Sequence, residues 1–351
     1  MLGYFIFILL IYIVLTCKLP IKKRSILIFS ILVIFSGIRE GIGYDYYFYL
    51  DISDQNIGKR TVELIPTIIA NIARITNPYL FFIYTSIIIY YLINKGITTV
   101  IRSQADYAVS IMLFISFPYF YFSSLGMVRQ FLAISILFFG MCKYREKKIP
   151  LLLCVFLAFL NHQSTIIGVL LLIPWHKFSR KILFIFVLSS FIIQPILIEI
   201  LNRIPVYNSV IGKMQQYIEL ADFFQGGRLV KLLVYALTFL SLIFYKKLTQ
   251  NNTANKYYIG LVCLGCFFQN ALDISPHMAI RICTCFFIAI LVYIPQLIEC
   301  LHLNKHLFIY LAIALLGINI YIQHIATFQE RAQDPIGYSC AYPYRTVTIQ
   351  N

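Results

Sequence analysis

The sequence predicts an all-α, polytopic integral membrane protein with about 10–12 transmembrane helices, plus short re-entrant or broken helices around an outward-facing cavity. Three observations lead there. Of 351 residues, 60% are apolar and only 12% charged, with a mean hydropathy of +0.81, whereas a soluble domain carries about 25% charged residues. Apolar runs of the roughly 20 residues needed to cross a hydrocarbon core of about 30 Å recur along the chain. Basic residues gather in short clusters between those runs. Such a chain has too little polar surface for a soluble enzyme, a disordered regulator or a secreted disulfide scaffold.

The first apolar run, 2–17, has no basic residue ahead of it and no small-x-small site behind it, and its charge follows at Lys18, Lys22, Lys23 and Arg24. It reads as a first span with its N-terminus outside rather than as a signal peptide. Further spans are read at 25–38, 79–94, 107–123, 126–142, 182–200, 230–245, 256–273, 279–298 and 307–325. Two stretches fit poorly. Residues 62–76 carry Glu63, Pro66, Asn71 and Arg74, and the two apolar halves of 149–174 meet at Asn161, His162, Gln163 and Ser164.

The positive-inside rule places Lys18 to Arg24, Lys95 with Arg102, Lys143 to Lys148, Lys177 to Lys181, Lys246 with Lys247, and Lys305 in the cytoplasm. Both ends of 149–174 are then cytoplasmic, so that stretch is expected to be a broken hairpin with His162 at its tip. By the same reasoning 62–76 is an outer-leaflet or re-entrant segment. Irregular backbone at membrane depth needs protein or a water-filled cavity around it, so both stretches point to one polar cavity open to the outside. Outer loops fall near 39–61, 201–229 and 274–281, and the side of the tail after Thr327 is left open. No repeat or low-complexity linker divides the chain, and 1–351 reads as a single polytopic domain.

A net charge of +15 invites a nucleic-acid reading, but binders of that kind concentrate Lys and Arg on one water-exposed face; no nucleic acid is expected. Five of the nine cysteines, Cys154, Cys263, Cys266, Cys283 and Cys285, lie inside apolar runs, and the C-x-x-C of Cys263 and Cys266 has no second pair or His at zinc spacing. No metal or cofactor is expected. Phosphate-loop, H-E-x-x-H, G-x-S-x-G and D-x-D signatures are absent, Asp51-Ile52-Ser53-Asp54 having the wrong spacing for the last.

Arginines on the outer side oppose the orientation bias, and burying an unpaired guanidinium at membrane depth costs at least about 2.5–3.5 kcal/mol. Arg39 ends the second span, Arg129 opens the helix at 126–142 and Arg281 opens that at 279–298. Each could snorkel, or pair with an acid such as Asp273 or Glu63; three together point to an anionic ligand. The loop Arg39-Glu40-Gly41-Ile42-Gly43-Tyr44-Asp45-Tyr46-Tyr47-Phe48-Tyr49 joins a turn to an acid flanked by aromatics, a set suited to a sugar ring and also to an interfacial aromatic belt. Arg129 and Gln130 near a helix N-terminus offer backbone N–H groups and a guanidinium fork to phosphate oxygens. His162 reads either as a satisfied core histidine or as a functional group at the hairpin tip.

These residues resemble the Wzy-type polysaccharide polymerases, in particular the EpsG-like branch. The likeness rests on Arg39 with Gly43-Tyr44-Asp45 and Tyr49, on Glu63, on Met127-Val128-Arg129-Gln130, on Asn161-His162-Gln163-Ser164 and on Arg281. The resemblance implies a multi-pass protein of the bacterial cytoplasmic membrane with its active site on the outer face. Its partners would be membrane lipid and an undecaprenyl-pyrophosphate-linked glycan, with a chain-length regulator as a further candidate. The growing glycan is transferred from its pyrophosphate carrier to the next lipid-linked repeat unit of an O-antigen, capsule or exopolysaccharide. On that reading Arg129, Arg39 and Arg281 neutralise the leaving pyrophosphate, with help from Arg203 or Arg228. Gln130, Tyr44 and Tyr49 bind substrate, and Asp45, Glu63 or His162 takes the acceptor's proton.

Three rivals are weighed against it. An O-antigen ligase would carry histidine in a large outer loop, and 201–229 has none. A flippase would line a cavity from both halves, often with inverted repeats. A membrane acyltransferase would need a His-carboxylate dyad, which His162 alone does not supply.

Overall fold

The computed structural model describes residues 2–43, 45–54, 62–203, 227–273, 275–314 and 316–317, and they form a succession of helices. They pack as two compact units, Met1–Ile166 with Asn304–Asn351, and Ile167–Leu303.

The first unit contains α1 (Leu2–Thr16), α2 (Ile21–Gly37), α3 (Tyr46–Asp54), α4 (Leu64–Arg74), α5 (Leu80–Val100), α6 (Gln104–Ser116), α7 (Tyr121–Gly126), α8 (Val128–Lys143) and α9 (Lys148–Asn161). Its centre is α5 with α8. Phe81, Phe82, Ile89 and Ile93 of α5 and Phe131, Leu132, Leu137 and Phe138 of α8 are buried, while Ile87 and Tyr91 of α5 face outward. An apolar outer face on a helix whose other face is packed is what lipid contact requires.

The span expected over 107–123 is divided. Helix α6 stops at Ser116 and α7 starts at Tyr121, because Pro118 forces the preceding Phe117 into an extended conformation (ψ 124°). The stretch 149–174, expected to be broken at His162, does break there: α9 gives way to a tighter helix over Gln163–Leu172. Helix α4 is 11 residues long, about 16 Å at 1.5 Å per residue. That is too short to cross a bilayer, as the polar residues of 62–76 led us to expect. Its Ile69, Ala70 and Ala73 are buried, and its Leu64, Ile68 and Ile72 are exposed.

Buried hydroxyls join α2, α5 and α7. Ser36 Oγ lies 2.8 Å from the Tyr90 hydroxyl and 3.0 Å from that of Tyr121, and Tyr90 reaches Ser124 Oγ at 2.9 Å. A hydrogen bond between membrane helices contributes about 0.6 kcal/mol, at most about 2. Tyr90→Phe removes two of these bonds and leaves the Ser36–Tyr121 bond in place, so we expect a loss of about 1–2 kcal/mol, read as a lowered midpoint in thermal unfolding of detergent-solubilised protein. Arg24, part of a basic cluster read as a topology signal, also holds the unit together. It is buried and donates to the carbonyl oxygens of Cys17 (2.6 Å) and Gln104 (3.2 Å).

The second unit contains α10 (Arg180–Arg203), α11 (Gly227–Ile243), α12 (Tyr245–Asn251), α13 (Asn255–Ala271), α14 (Pro276–Phe287) and α15 (Ile290–Cys300). Helix α13 is its axis, buried around most of its circumference and packed on all five of the others. Asn255, at its start, donates from Nδ2 to Gln296 Oε1 at 2.6 Å and to the Leu248 carbonyl at 2.9 Å. The expected span 279–298 is bent rather than straight, Met278–Phe287 turning by 68° into α15, whereas the expected span 230–245 ends at such a bend, where Val230–Ile243 turns by 68° into α12.

Helix α16 (Lys305–Ala314) belongs to the first unit, where Lys305 Nζ pairs with Asp106 Oδ1 at 2.5 Å. Among the described residues, Leu80–Val100 and Arg180–Leu197 are each long and apolar enough to cross a membrane alone, and the two bent pairs pass when each is taken as one span. Shorter apolar helices of 10–17 residues make up the rest of the apolar set. The chain is thus an all-α polytopic membrane protein in which two runs read as single spans, 107–123 and 279–298, are divided by breaks.

Candidate active site

Three helix ends meet in the first unit. Helix α8 begins directly after α7, with Met127 as the only residue between them, so Arg129 falls in the first turn of α8. Glu63 sits at the N-terminal cap of α4 but makes no capping bond to that helix. His162 follows α9 in extended conformation (φ −158°). Because α9 packs against both α4 and α8, these side chains, distant in sequence, come together.

Arg129 Nη1 donates to Glu63 Oε2 at 2.5 Å. The other carboxylate oxygen of Glu63 lies 3.8 Å from His162 Nδ1, beyond a hydrogen bond. Ser164 Oγ is 3.3 Å from the same ring nitrogen. The side chains of Arg129, Glu63 and His162 are 20%, 13% and 18% exposed, so the cluster is shielded from bulk solvent yet reachable. Shielding strengthens each charge interaction, since the effective dielectric is lower than in water.

Aromatic residues of α3 fix the arginine. Its guanidinium carbon stands 5.1 Å from the centre of the Phe48 ring and 5.9 Å from that of Tyr49. The backbone N–H of Arg129 donates to the Tyr49 hydroxyl at 3.4 Å. Burial pushes the Tyr49 phenol up to about 12, with Asp45 adding to the effect and Arg129 opposing it; it is therefore a neutral hydrogen-bonding group at physiological pH. Arg129 Nε is buried with no hydrogen-bond partner among the described residues, which leaves one donor of the fork uncommitted.

A second arginine holds the loop between α2 and α3. Arg39 is 1% exposed. It donates from Nε to the Ile42 carbonyl at 3.2 Å, from Nη2 to the Leu125 carbonyl at 3.1 Å, and from Nη1 to the Ser36 carbonyl. Its guanidinium also lies 4.7 Å from the Phe82 ring centre. The turn it clasps includes Gly43, at φ +104°, whose backbone lies against the Leu125 carbonyl.

The model of the EpsG family matches residues 24–346, nearly the whole chain. The chain belongs to the EpsG family. No curated protein and no solved structure matches it. An EpsG-family chain with these apolar helices is a polysaccharide-related membrane protein.

Not every residue singled out in the EpsG-family sequence joins the cluster. Tyr49 does, but as a buried support for Arg129 rather than as an open stacking face. Asp45, half-buried, lies in the turn before α3 and acts electrostatically on Tyr49. Gln130, the next residue of α8, is buried. Arg281, half-buried on α14, belongs to the second unit. Tyr44 lies outside the described residues, as do the side chains of Arg203 and Arg228.

Within the aromatic run that the sequence singled out, nothing marked Phe48 as the ring that supports the guanidinium or Tyr47 as the one that is 65% exposed. Which ring of Tyr46 to Phe48 faces out and which faces Arg129 depends on the rotation of a short helix, and an all-aromatic run carries no periodicity to reveal it. The carboxylate that a His-carboxylate dyad would need stands near His162 after all: Glu63 Oε1 lies 3.8 Å from its Nδ1, longer than a hydrogen bond.

Proposed function

We propose that this EpsG-family protein is a membrane glycosyltransferase that polymerises undecaprenyl-pyrophosphate-linked oligosaccharide repeat units at the outer face of the cytoplasmic membrane. The observation that carries the reading is the convergence of Arg129, Glu63 and His162 in one half-buried cluster. Arg129, in the first turn of α8, has both a guanidinium and a helix N-terminus to offer a diphosphate. His162 accepts the proton of the acceptor hydroxyl, and Glu63 steadies the imidazolium that results. The acceptor oxygen attacks the anomeric carbon, the bond from that carbon to pyrophosphate oxygen breaks, and the electron pair leaves with the diphosphate, whose charge Arg129 offsets. A single displacement of this kind inverts the anomeric centre. The energy is stored in the glycosyl pyrophosphate bond, so neither metal nor cofactor is invoked. His162 and Glu63 would equally serve acyl transfer; the family match favours polysaccharide chemistry.

His162→Gln in the native host tests the reading. Loss of a general base reduces rate by about 10²–10⁴, so a gel of the surface polysaccharide is expected to lose its long chains and retain single repeat units, with the protein present at its usual level. Unchanged chain length would remove His162 from the chemistry, and disappearance of the single unit as well would favour a flippase.

A further inference from the structure

The second unit holds a polar cluster that none of the roles above uses. Lys231, one turn into α11, is ion-paired with Asp273, just past the end of α13. Tyr235, one turn further along α11, donates to Asn270 Oδ1 at 2.7 Å, and Asn270 Nδ2 donates to Ser190 Oγ of α10 at 3.0 Å. Lys231 Nζ also lies 5.8 Å from the centre of the Tyr235 ring, which in turn stands 5.8 Å from that of Phe191. Either side of Asp273 in sequence, Gln269 Oε1 and Ser275 Oγ are buried with no hydrogen-bond partner among the described residues.

Ionisable groups among apolar helices are costly and mark functional sites by default. Ser190 and Asn270 are buried, whereas Lys231 and Asp273 are 24% and 27% exposed, so the charged end of the cluster is the end a ligand can reach. The character of the set narrows its ligand. Lys231 and Asp273 cancel in charge as Arg129 and Glu63 do, but Lys231 has neither the uncommitted guanidinium donor nor the first-turn position of Arg129, so a phosphate would meet the carboxylate as well as the ammonium, and a cation would find a single acid. A neutral polyhydroxylated ring suits both, with hydroxyls donating to Asp273 and accepting from Lys231 while its apolar face lies on an aromatic ring. We propose that the Lys231–Asp273 cluster is a binding site for the neutral sugar portion of a substrate, separate from the anion-suited cluster at Arg129. This rests on the glycosyltransferase reading and adds to it a glycan subsite in the second unit. In the orientation expected from charge, Lys231 and Asp273 adjoin the outer stretches 201–229 and 274–281.

The test uses full-length protein in lipid nanodiscs and two probes: the host's repeat-unit oligosaccharide, released from its lipid by mild acid, and undecaprenyl pyrophosphate. Asp273→Asn and Lys231→Met are each expected to weaken oligosaccharide binding by about tenfold or more and to leave undecaprenyl pyrophosphate binding unchanged; Arg129→Ala is expected to do the reverse. Removing one partner of a half-buried pair can destabilise the fold, whereas replacing both by apolar residues of similar volume is often tolerated. The double variant Lys231→Met/Asp273→Leu therefore separates the two roles. If the pair only holds the helices, the double variant recovers oligosaccharide binding, which overturns the proposal. If it holds sugar, the double variant keeps the wild-type melting temperature and still fails to bind. Wild-type protein that binds undecaprenyl pyrophosphate but not the oligosaccharide also overturns the proposal and leaves the Arg129 assignment standing, whereas wild-type protein that binds neither probe overturns both.

Discussion

Arg129→Ala is expected to eliminate long polysaccharide chains while single repeat units still reach the cell surface. Removing one preorganised group aimed at developing negative charge lowers rate by about 10²–10³, enough to empty the high-mass region of a gel. The substitution also leaves Glu63, 13% exposed, without the guanidinium 2.5 Å away, so the amount of folded protein must be measured alongside. The double variant Arg129→Ala/Glu63→Gln removes both charges and is expected to restore any lost stability but not polymer length. Arg129→Lys keeps the charge but loses the planar fork and its stacking near Phe48 and Tyr49, so partial chains are expected. Wild-type chain lengths from folded Arg129→Ala protein would remove this residue from the chemistry.

Gly43→Ala is expected to cause the largest loss of stability. At φ +104° an L-residue is already strained, and a Cβ built there would stand 2.3 Å from the Leu125 carbonyl oxygen and 2.9 Å from its carbon. Both are backbone atoms at the end of α7, directly before the turn of helix that carries Arg129, and the same carbonyl accepts from Arg39. Relief requires moving the backbone, so the cost exceeds the roughly 1–2 kcal/mol of left-handed geometry alone. Gly41→Ala is the comparison. Its φ is +63° and its nearest neighbour would be the Tyr47 hydroxyl at 3.2 Å, the end of an exposed side chain that can move aside. Thermal unfolding of the two variants in detergent should show a loss of several kcal/mol or failure to accumulate for Gly43→Ala, and about 1–2 kcal/mol for Gly41→Ala.

The membrane class was legible because it depends on sums: 60% apolar residues cannot be hidden from lipid whatever the topology. Single positions were legible where one residue dictates its own backbone. Asn161-His162-Gln163-Ser164 marked the place where α9 ends, and Glu63 with Pro66 marked a helix too short to span. Pro118 was an equally local signal and went unused, so 107–123 was read as one span although α6 ends at Ser116. The bends after Ile243 and Phe287 carry no proline at the break, and nothing in the local sequence announces them.

The sequence by itself determined that this chain is helical, lives in lipid and carries cationic and acidic groups where lipid would not tolerate them alone. Tertiary structure decided how those groups are divided. Arg39 and Arg129 looked equivalent, yet one is spent on the backbone carbonyls of Ser36, Ile42 and Leu125 while the other meets Glu63 beside His162. Asp273, expected near an arginine, pairs with Lys231. The reason is geometric: a guanidinium satisfies its donors with whatever acceptor lies within about 3 Å, and for side chains tens of residues apart that distance is set by which helices pack together.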